Sequence, residues 1–325
     1  MVAITRIEGA NKSRSSRPKI AVFVGATSGI GLGTIEALLR TVKGCTIFII
    51  GRSQQKFAGK ISRLESLDPT ANINFIEAQV SLLQDIDRVC NVLLERIKVL
   101  DILWLSQGGL GLREGDGATA EGLPTDFAVV HYGRAMFMKR LAPLLNKSSD
   151  GRVLSCLCAG LEGQINLTDP GLRNPENYAT AGFWGAQKQG ITMQSLIMAH
   201  LARESSTVSF IHTNPGMVST DVHAKWSTTF TGWWRPLSWL LSLFAIPLMH
   251  LAGFTPEQAG EVGLFELLDE RFGSEAGSNF HRLDDHAEEI AANEAAVLAE
   301  YETASTGDKI WEHTNRVFDE VLSSR

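Results

Sequence analysis

Short apolar runs alternate with stretches of helical periodicity along most of the chain. The run from Ile20 to Val24 is uninterrupted and rich in β-branched residues, which is typical of a strand buried on both faces of a sheet. The stretch from Ile86 to Ile97 instead repeats apolar residues at helical spacing and indicates a crossover helix. This alternation predicts an α/β fold in which one doubly wound parallel sheet carries helices on both faces. Further strands are predicted at Cys45 to Ile50, Ile73 to Val80, Leu100 to Gly109, Gly151 to Gly160 and Val208 to Ile211, with a long helix at Phe127 to Leu145.

The two ends of the chain differ from this central pattern. Residues 1–19 are polar and basic, and we expect them to form an arm on the domain surface. Asn279 to Leu283 is predicted as a final edge strand, after which Ala287 to Tyr301 and Trp311 to Leu322 are predicted as helices. The sequence therefore predicts an arm at 1–19, a core domain at 20–283 and a helical C-terminal extension at 284–325.

Glycines follow the first strand at once. Gly25 permits a tight turn, Gly29 lets main-chain N–H groups approach a pyrophosphate, and Gly31 lets the next helix lie close to the strand. The N-terminus of that helix offers unpaired N–H groups and the positive end of its dipole to phosphate. A buried strand, a glycine-rich turn and a helix in this order predict the dinucleotide-binding unit of a Rossmann-type fold.

The residues of this turn, G-A-T-S-G-I-G, resemble the cofactor loop of the short-chain dehydrogenase/reductase family, whose spacing is Gly-x-x-x-Gly-x-Gly. Val24 stands where the family usually has Thr. The resemblance runs in motif order from about Lys19 to Leu283. It implies a nicotinamide dinucleotide held at its phosphates by Gly25, Thr27, Ser28, Gly29, Ile30 and Gly31.

The end of the second predicted strand bears on the choice of cofactor. Dinucleotide-binding folds usually carry an acidic residue there, which accepts the ribose hydroxyls of NAD. This chain has Arg52 and Ser53 instead, with Lys56 close behind. A guanidinium suits a 2′-phosphate, although a solvated arginine is also common after a strand. The missing acid favours NADP(H) over NAD(H).

The resemblance implies further cofactor contacts at later strand ends. Gln79 stands where the family usually has an Asp that contacts the adenine amino group, and its amide oxygen can accept the same bond. The turn Leu105-Ser106-Gln107-Gly108 stands in for the family's Asn-Asn-Ala-Gly, and the segment P-G-M-V-S-T resembles the Pro-Gly-x-Val-x-Thr that covers the nicotinamide. The implied contacts are Gln79, Val80, Gln107, Gly108, Pro215, Gly216, Val218 and Thr220.

The catalytic residues of the family are replaced. Its serine, which polarises a substrate carbonyl, falls at Cys158 or Leu157, and Cys158 is the better placed of the two. Two small buried cysteines that merely fill the core explain Cys156 and Cys158 equally well. The family's Tyr-x-x-x-Lys pair is absent by two alignments, since Tyr178 is followed by Gly182 and counting back from the helix end gives Gln187 and Ile191. The candidate catalytic residues are therefore Tyr178, Cys158 and Lys188.

The segment 226–254 occupies the position of the family's substrate loop. It holds four tryptophans followed by a short apolar run, too short to span a bilayer. We expect an apolar lid over the substrate, with a peripheral membrane contact through 233–251 or a homodimer face as the alternatives.

Composition narrows the class of protein. A net charge of −6 gives no footprint for nucleic acid. The four cysteines are scattered as buried thiols would be in a reducing compartment, and no Cys/His spacing indicates a metal site. The polar N-terminus contains no signal-peptide core, so we expect a cytoplasmic location, with membrane association as an alternative.

Three functions are consistent with these features. The first is an NADPH-dependent oxidoreductase that reduces a carbonyl or imine of an apolar small molecule. The second is a non-redox cyclase or isomerase that keeps the cofactor pocket, and the third is a catalytically silent cofactor-binding protein. The S-Q-G-G turn and the missing pair also resemble divergent fungal members of the family, which are often associated with secondary metabolism.

Overall fold

The computed structural model describes residues 4–14, 16–108, 117–219, 253–274, 278–291, 296–303 and 305–323. Its strands are β1 (Ile20–Val24), β2 (Thr46–Gly51), β3 (Asn72–Glu77), β4 (Ile102–Leu105), β5 (Gly151–Cys156), β6 (Val208–Thr213) and β7 (Phe280–Leu283). Its helices are α1 (Ile4–Ser13), α2 (Gly29–Thr41), α3 (Gln54–Leu67), α4 (Leu83–Arg96), α5 (Thr125–Phe127), α6 (Gly133–Leu145), α7 (Pro175–Glu204), α8 (Pro256–Leu268), α9 (Ala296–Thr303) and α10 (Thr306–Ser323).

The seven described strands form one parallel sheet, which confirms the predicted fold class. Their order is β3-β2-β1-β4-β5-β6-β7, so the strand order reverses between β1 and β4. Val24 is in register with Ile50 of β2 on one side and with Leu105 of β4 on the other. The carboxyl ends of these strands therefore meet at one edge, where the crevice of a doubly wound sheet binds its ligand.

Alternate residues of each central strand enter two separate apolar cores. Val22 and Val24 face the core beneath α4, α6 and α7, whereas Ala21 and Phe23 face the core beneath α2, α3 and α8. Burial on both faces explains why β1 lacks polar residues. Helices α2 and α8 cross at Gly33 and Gly260, and a Cβ on Gly260 would lie 2.3 Å from the Gly33 carbonyl carbon.

The N-terminal arm contains a helix that the sequence pattern did not predict. Ile7 of α1 is buried. The Asn11 side-chain amide donates a hydrogen bond of 2.8 Å to the carboxylate of Glu261 in α8. Arg14 pairs with Asp269 at 2.9 Å. The buried Ile7 side chain and the hydrogen bonds of Asn11 and Arg14 therefore attach the arm to α8 and to Asp269, the residue after it.

The C-terminal region agrees with the sequence pattern in part. The edge strand β7 and the last helix α10 are confirmed, and Val317 and Val321 of α10 are buried. The prediction of one helix from Ala287 to Tyr301 is wrong at its start, because α9 begins only at Ala296. Ala287 has a φ of 56° in a turn after β7, where the Asp284 carboxylate accepts the N–H groups of residues 286 and 288.

The long helix predicted from Phe127 to Leu145 forms with an irregular start. A π-helical segment, Ala128–Tyr132, joins α5 to α6. A Cβ on Gly133 would lie 2.9 Å from the Ala128 carbonyl oxygen, so glycine permits this wider turn to continue into α6. Across the described residues, no helix combines the length and the apolar character needed to cross a membrane.

Candidate functional site

The β1–α2 turn has the shape of a phosphate cradle. Gly25 has a φ of 77°, and a Cβ there would lie 2.3 Å from the Gln107 main-chain nitrogen. A Cβ on Gly31 would lie 2.7 Å from that of Ala26. Ser28 precedes α2 without a side-chain capping bond, so the first N–H groups of the helix are available to an anion. The turn fits the pyrophosphate of a dinucleotide.

The ribose edge of the cradle is positively charged. Arg52 is exposed and makes no hydrogen bond or ion pair with the described residues. Ser53 caps α3 by accepting the Lys56 N–H. Lys60, which was not among the predicted contacts, donates a hydrogen bond of 2.6 Å to the Thr27 carbonyl of the phosphate turn. Only the fold brings α3 over that turn, so no sequence signal marks Lys60.

One carboxylate also lies at this edge. Glu77 is in register with Gly51 across the sheet, and its side chain accepts the Gln54 N–H at the start of α3. Gln79 is exposed, and its main-chain N–H donates to Asp85. Val80 is half-buried, and its carbonyl oxygen would lie 3.1 Å from a Cβ on Gly133.

Gln107 is a buried polar side chain beside the cradle. It is 3% exposed, and neither of its amide atoms finds a hydrogen-bond partner among the described residues. A buried amide without partners costs free energy, so a ligand group that pairs with it is favoured. The adjoining Gly108 has a φ of 148°, which suits glycine and keeps the turn open.

The Pro215–Val218 segment closes the other end of the crevice. Gly216 has a φ of 63°, and a Cβ on it would lie 2.3 Å from an Asp285 carboxylate oxygen. Val218 is buried and bridges to Phe254. Thr220, the remaining predicted contact in this segment, lies outside the described residues. The predicted membrane contact at 233–251 also lies outside them, as does the predicted lid at 226–254 except for its last two residues.

A narrow cavity lies behind this segment. Its lining includes Ile30, Pro215, Thr213 and Glu266. Glu266 is fully buried on α8, and burial raises the pKa of its carboxyl to about 8. The Thr213 hydroxyl donates 2.7 Å to it. This buried carboxyl group therefore holds its proton more strongly than an exposed glutamate does.

An acidic turn follows β7 next to Gly216. Asp284, Asp285 and His286 come within 4.8 Å of one another. The carboxylates are already used by the turn, since Asp284 accepts main-chain N–H groups and Asp285 lies 2.7 Å from His286 Nδ1. This cluster fits a folded turn without a metal ion.

A buried arginine lies beneath the ends of β4 and β5. Arg134 is 1% exposed and donates to the carbonyls of Leu105, Gln107 and Cys156 at 2.7, 2.6 and 3.2 Å, and to the Ser155 hydroxyl at 2.7 Å. Burial lowers its pKa to about 10, so it remains a cation at neutral pH. No sequence motif marks Arg134, because its four acceptors come from β4, β5 and the turn after β4.

Cys158 lies in a strained turn at the end of β5. Its φ is 43°, an uncommon value for a residue with a side chain. Its carbonyl accepts the Leu161 N–H, and the preceding Leu157 N–H donates 2.9 Å to Thr213. Burial raises the pKa of the Cys158 thiol. Of the four cysteines, Cys158 alone has a partly exposed side chain.

Tyr178 is held by a carboxylate. Its hydroxyl donates 2.9 Å to Asp126 Oδ2, and its ring packs against the core beneath α6 and α7. The helix that carries it is interrupted at Gly182, which has a φ of 65°. The pair joins α5 to the first part of α7, before the interruption at Gly182.

Lys188 is exposed on α7, and its stem packs against Gly163 in the loop after Cys158. Trp184 lies four positions before Lys188. Neither of the two alignments with the family's Tyr-x-x-x-Lys pair considered these two residues together. The two side chains share one face of α7, with the spacing of the family's Tyr-x-x-x-Lys pair. An indole N–H donates a hydrogen bond but does not exchange a proton as a phenol does.

Exposed apolar side chains follow the ends of β5 and β6. Leu161, Trp184 and Met217 are 48%, 59% and 52% exposed. All three belong to segments at the carboxyl edge of the sheet, where the crevice opens. These side chains add exposed apolar surface to the loop after β5, to α7 and to the loop after β6.

The C-terminal helices brace the loop between β5 and α7. The Tyr301 hydroxyl of α9 accepts the Ile165 N–H at 2.8 Å and donates 2.7 Å to Gln164. Glu320 of α10 forms a bidentate ion pair with Arg173. The extension, in which the sequence showed no chemistry, thus supports the loop that carries Cys158.

Sequence comparisons identify related proteins. Residues 19–168 match the family described as short chain dehydrogenase. The chain is 32% identical to the oxidoreductase AN1596 of Emericella nidulans, with 99% of each chain aligned. It is 29% identical to the oxidoreductase lepF of Aspergillus flavus, over 93% of this chain and 92% of that one.

Solved structures share the fold at lower identity. The NADPH-bound carbonyl reductase from chicken fatty liver aligns with 85% of this chain and all of its own, at 17% identity and a TM-score of 0.56. The L-sorbose reductase from Gluconobacter frateurii, complexed with NADPH and L-sorbose, aligns with 85% of this chain and 98% of its own, at 17% identity and a TM-score of 0.59. These likenesses concern the fold.

Proposed function

We propose that this chain, which belongs to the short-chain dehydrogenase/reductase family of oxidoreductases, is an NADPH-dependent reductase of an apolar carbonyl or imine compound. The observation that carries the proposal is the phosphate cradle of Gly25, Gly29 and Gly31 beside the unpaired guanidinium of Arg52. Fungal oxidoreductases aligned along nearly the whole chain support it.

The residues at the cradle fit NADP(H). Arg52 has no partner among the described residues, and Lys60 adds a second cation beside the phosphate turn. A guanidinium and an ammonium both favour a 2′-phosphate. Gln107 would pair its buried amide with a polar group of the cofactor. The NADPH bound in structurally similar reductases agrees with this assignment.

The substrate side favours an apolar compound. Leu161, Trp184 and Met217 present exposed apolar surface at the open edge of the crevice. Binding an apolar molecule there removes this surface from water and stabilises the complex by roughly 25 cal/mol per Å² buried. A role in secondary metabolism follows from the resemblance to divergent fungal members of the family, and the alignment with fungal oxidoreductases over nearly the whole chain supports it.

In this site NADPH would supply a hydride to the carbonyl or imine carbon, and a proton must then reach the oxygen or nitrogen. Cys158 and Lys188 are the candidates nearest the open edge, on the strained turn and on the helix face against it. Tyr178 directs its hydroxyl hydrogen at Asp126. We infer a substrate such as an imine or enone, whose reduction needs little help from a protein acid.

One observation favours the alternative, a non-redox cyclase or isomerase on the same scaffold. Trp184 precedes Lys188 at the spacing of the family's pair, and an indole is no general acid. Such an enzyme would bind and orient its substrate in the apolar crevice without a phenol.

Isotope transfer separates the two functions. The protein is incubated with apolar ketones, enones and imines and with NADPH deuterated at either C4 position. We expect deuterium in the product and consumption of one NADPH per product. An unlabelled product, formed equally fast with NADP⁺, would overturn the reductase and establish the alternative.

A further inference from the structure

Four buried polar side chains connect β7, α7 and β6 to the turn that carries Cys158. Arg282 of β7 forms a bidentate ion pair with Glu162, with nitrogen to oxygen distances of 3.0 and 2.9 Å. Glu162 also accepts the Gly160 N–H at 2.8 Å. Its carboxylate is fully buried in a loop, where an unpaired charge would be strongly unfavourable. The ion pair therefore fixes where this loop lies.

The chain of contacts continues from Glu162 into the sheet. The Ser195 hydroxyl of α7 lies 2.8 Å from Glu162 Oε1 and 2.7 Å from His212 Nδ1. His212 Nε2 lies 2.8 Å from the Leu157 carbonyl oxygen. His212 and Ser195 are both buried. Contacts from three elements thus end on the residue directly before Cys158.

The hydrogen-bond partners of His212 determine which of its ring nitrogens carries a hydrogen. A carbonyl oxygen can only accept, so Nε2 carries the hydrogen and donates to Leu157. Burial lowers the pKa of His212 below its ordinary value, which favours the neutral ring with Nδ1 as an acceptor. Ser195 therefore has one hydroxyl hydrogen for two acceptors, Glu162 and His212.

The turn held in this way is strained. Cys158 has a φ of 43°, and such a backbone conformation persists only where the surroundings enforce it. We propose that Arg282, Glu162, Ser195 and His212 form a positioning chain that fixes the Leu157–Cys158 turn, and with it the substrate side of the site. The role of Cys158 in turnover rests on the proposed reductase, whereas the position of its thiol does not.

Thiol reactivity tests the position directly. Cys158 is the one cysteine with a partly exposed side chain. Its rate of reaction with a maleimide therefore measures how accessible the thiol is in the Leu157–Cys158 turn. The Cys158→Ala variant shows which part of the reaction comes from this thiol. His212→Asn loses the N–H donor that bonds to the Leu157 carbonyl oxygen. His212→Gln has a longer side chain, whose amide N–H lies near the position of Nε2 and can replace that donor. We expect at least a tenfold faster reaction in His212→Asn and less than a threefold change in His212→Gln.

Two further readouts separate positioning from general loss of stability. NADPH affinity should stay within threefold of the parent in both variants, while kcat for any substrate found falls at least tenfold in His212→Asn alone. Ser209→Ala is the matched control, because it removes a buried hydroxyl of the same strand that bonds to the Phe272 carbonyl. It should leave the thiol rate unchanged.

The outcome is decisive even without a substrate. Equal thiol rates in the parent and His212→Asn, or the same increase in Ser209→Ala, would overturn the positioning chain and leave the proposed function standing. If His212→Asn does not fold, Arg282→Lys is the second variant. It keeps the positive charge, loses the bidentate pairing with Glu162, and must show the same faster thiol reaction. A faster thiol reaction without any reductase activity would support the chain and count against the proposed function.

Discussion

Main-chain groups form the phosphate cradle at the end of β1, whereas buried polar side chains fix the backbone at the ends of β5 and β6. At the cradle, Gly25 and Gly31 have no room for a Cβ, and Ser28 leaves the α2 N-terminus open. At the other end, Arg134 and the His212 chain fix the backbone from inside the protein. The two regions lie at the same edge of one sheet.

The difference shows which features a family resemblance preserves. Phosphate binding depends on backbone shape, which glycines at fixed spacing specify locally. Catalysis depends on side chains brought together from several elements, and at this end of the sheet Cys158 comes from the turn after β5 and Trp184 and Lys188 from α7. The buried polar groups around them are expensive unless satisfied, so they constrain this region as tightly as the glycines constrain the other.

The largest effect is expected at Arg134. Arg134→Met removes the donor from three carbonyls and a hydroxyl, and each buried group left without a partner costs about 1–3 kcal/mol. We expect the free energy of unfolding to fall by about 3 kcal/mol or more, measured by urea denaturation. Arg140→Met on the same helix, where the partly exposed arginine pairs with Asp87, should cost about 1 kcal/mol or less. An equal loss of stability in the two variants would contradict the role of Arg134 in joining the ends of β4 and β5.

The cradle should fail at Gly25. Gly25→Ala places a Cβ 2.3 Å from the Gln107 nitrogen and forces the β4 turn away from the phosphate site. We expect NADPH affinity, measured by cofactor fluorescence, to fall about a hundredfold, or about 2.7 kcal/mol. Gly59→Ala is the control, because no atom lies within 4 Å of its Cβ position on α3. Normal NADPH binding by Gly25→Ala would rule out the cradle.

The choice of cofactor should depend on Arg52. Arg52→Ala is expected to weaken NADPH by about 1–3 kcal/mol, the value of a hydrogen bond to a charged group, and to leave NADH unchanged. Arg63→Ala, in which an arginine of α3 loses its pair with Glu36, should alter neither affinity. Equal affinities of the parent for NADPH and NADH would refute the preference.

Glu266 should make stability depend on pH. Its folded pKa of about 8 lies above the ordinary 4.5, so between these values the folded state binds a proton that the unfolded state has lost, and stability falls as pH rises. Glu266→Gln should remove this slope, which amounts to roughly 1–2 kcal/mol between pH 6 and 7.5. Thermal unfolding across pH measures it, with exposed Glu257→Gln as control. Parallel curves for the parent and Glu266→Gln would exclude a neutral Glu266.

The smallest effect is expected at Tyr178. Tyr178→Phe removes one hydrogen bond to Asp126 and should cost about 1 kcal/mol of stability, with turnover lowered less than tenfold because the hydroxyl hydrogen is already engaged. Steady-state kinetics measures this. A fall of a hundredfold or more would identify Tyr178 as the relocated proton donor.

The sequence predicts the fold and the cradle because both are local. The β-branched run at β1 and the spacing of Gly25, Gly29 and Gly31 specify strand, turn and helix without distant contacts. The start of α9 was missed because Asp284 captures main-chain N–H groups in a turn that competes with helix. Lys60 and His212 carry no motif, since their roles arise only where the fold brings α3 over the phosphate turn and β6 beside Leu157.

The bracing of the β5–α7 loop has a consequence for the order of folding. Arg282, Tyr301 and Glu320 reach partners 120, 136 and 147 residues earlier in the chain. At roughly 5–20 residues translated per second, these partners wait roughly 6 to 30 seconds on the ribosome. During that time β1, α2 and β2 can already pair. The residues of the β1–α2 turn are therefore synthesised long before the β5–α7 loop acquires these braces.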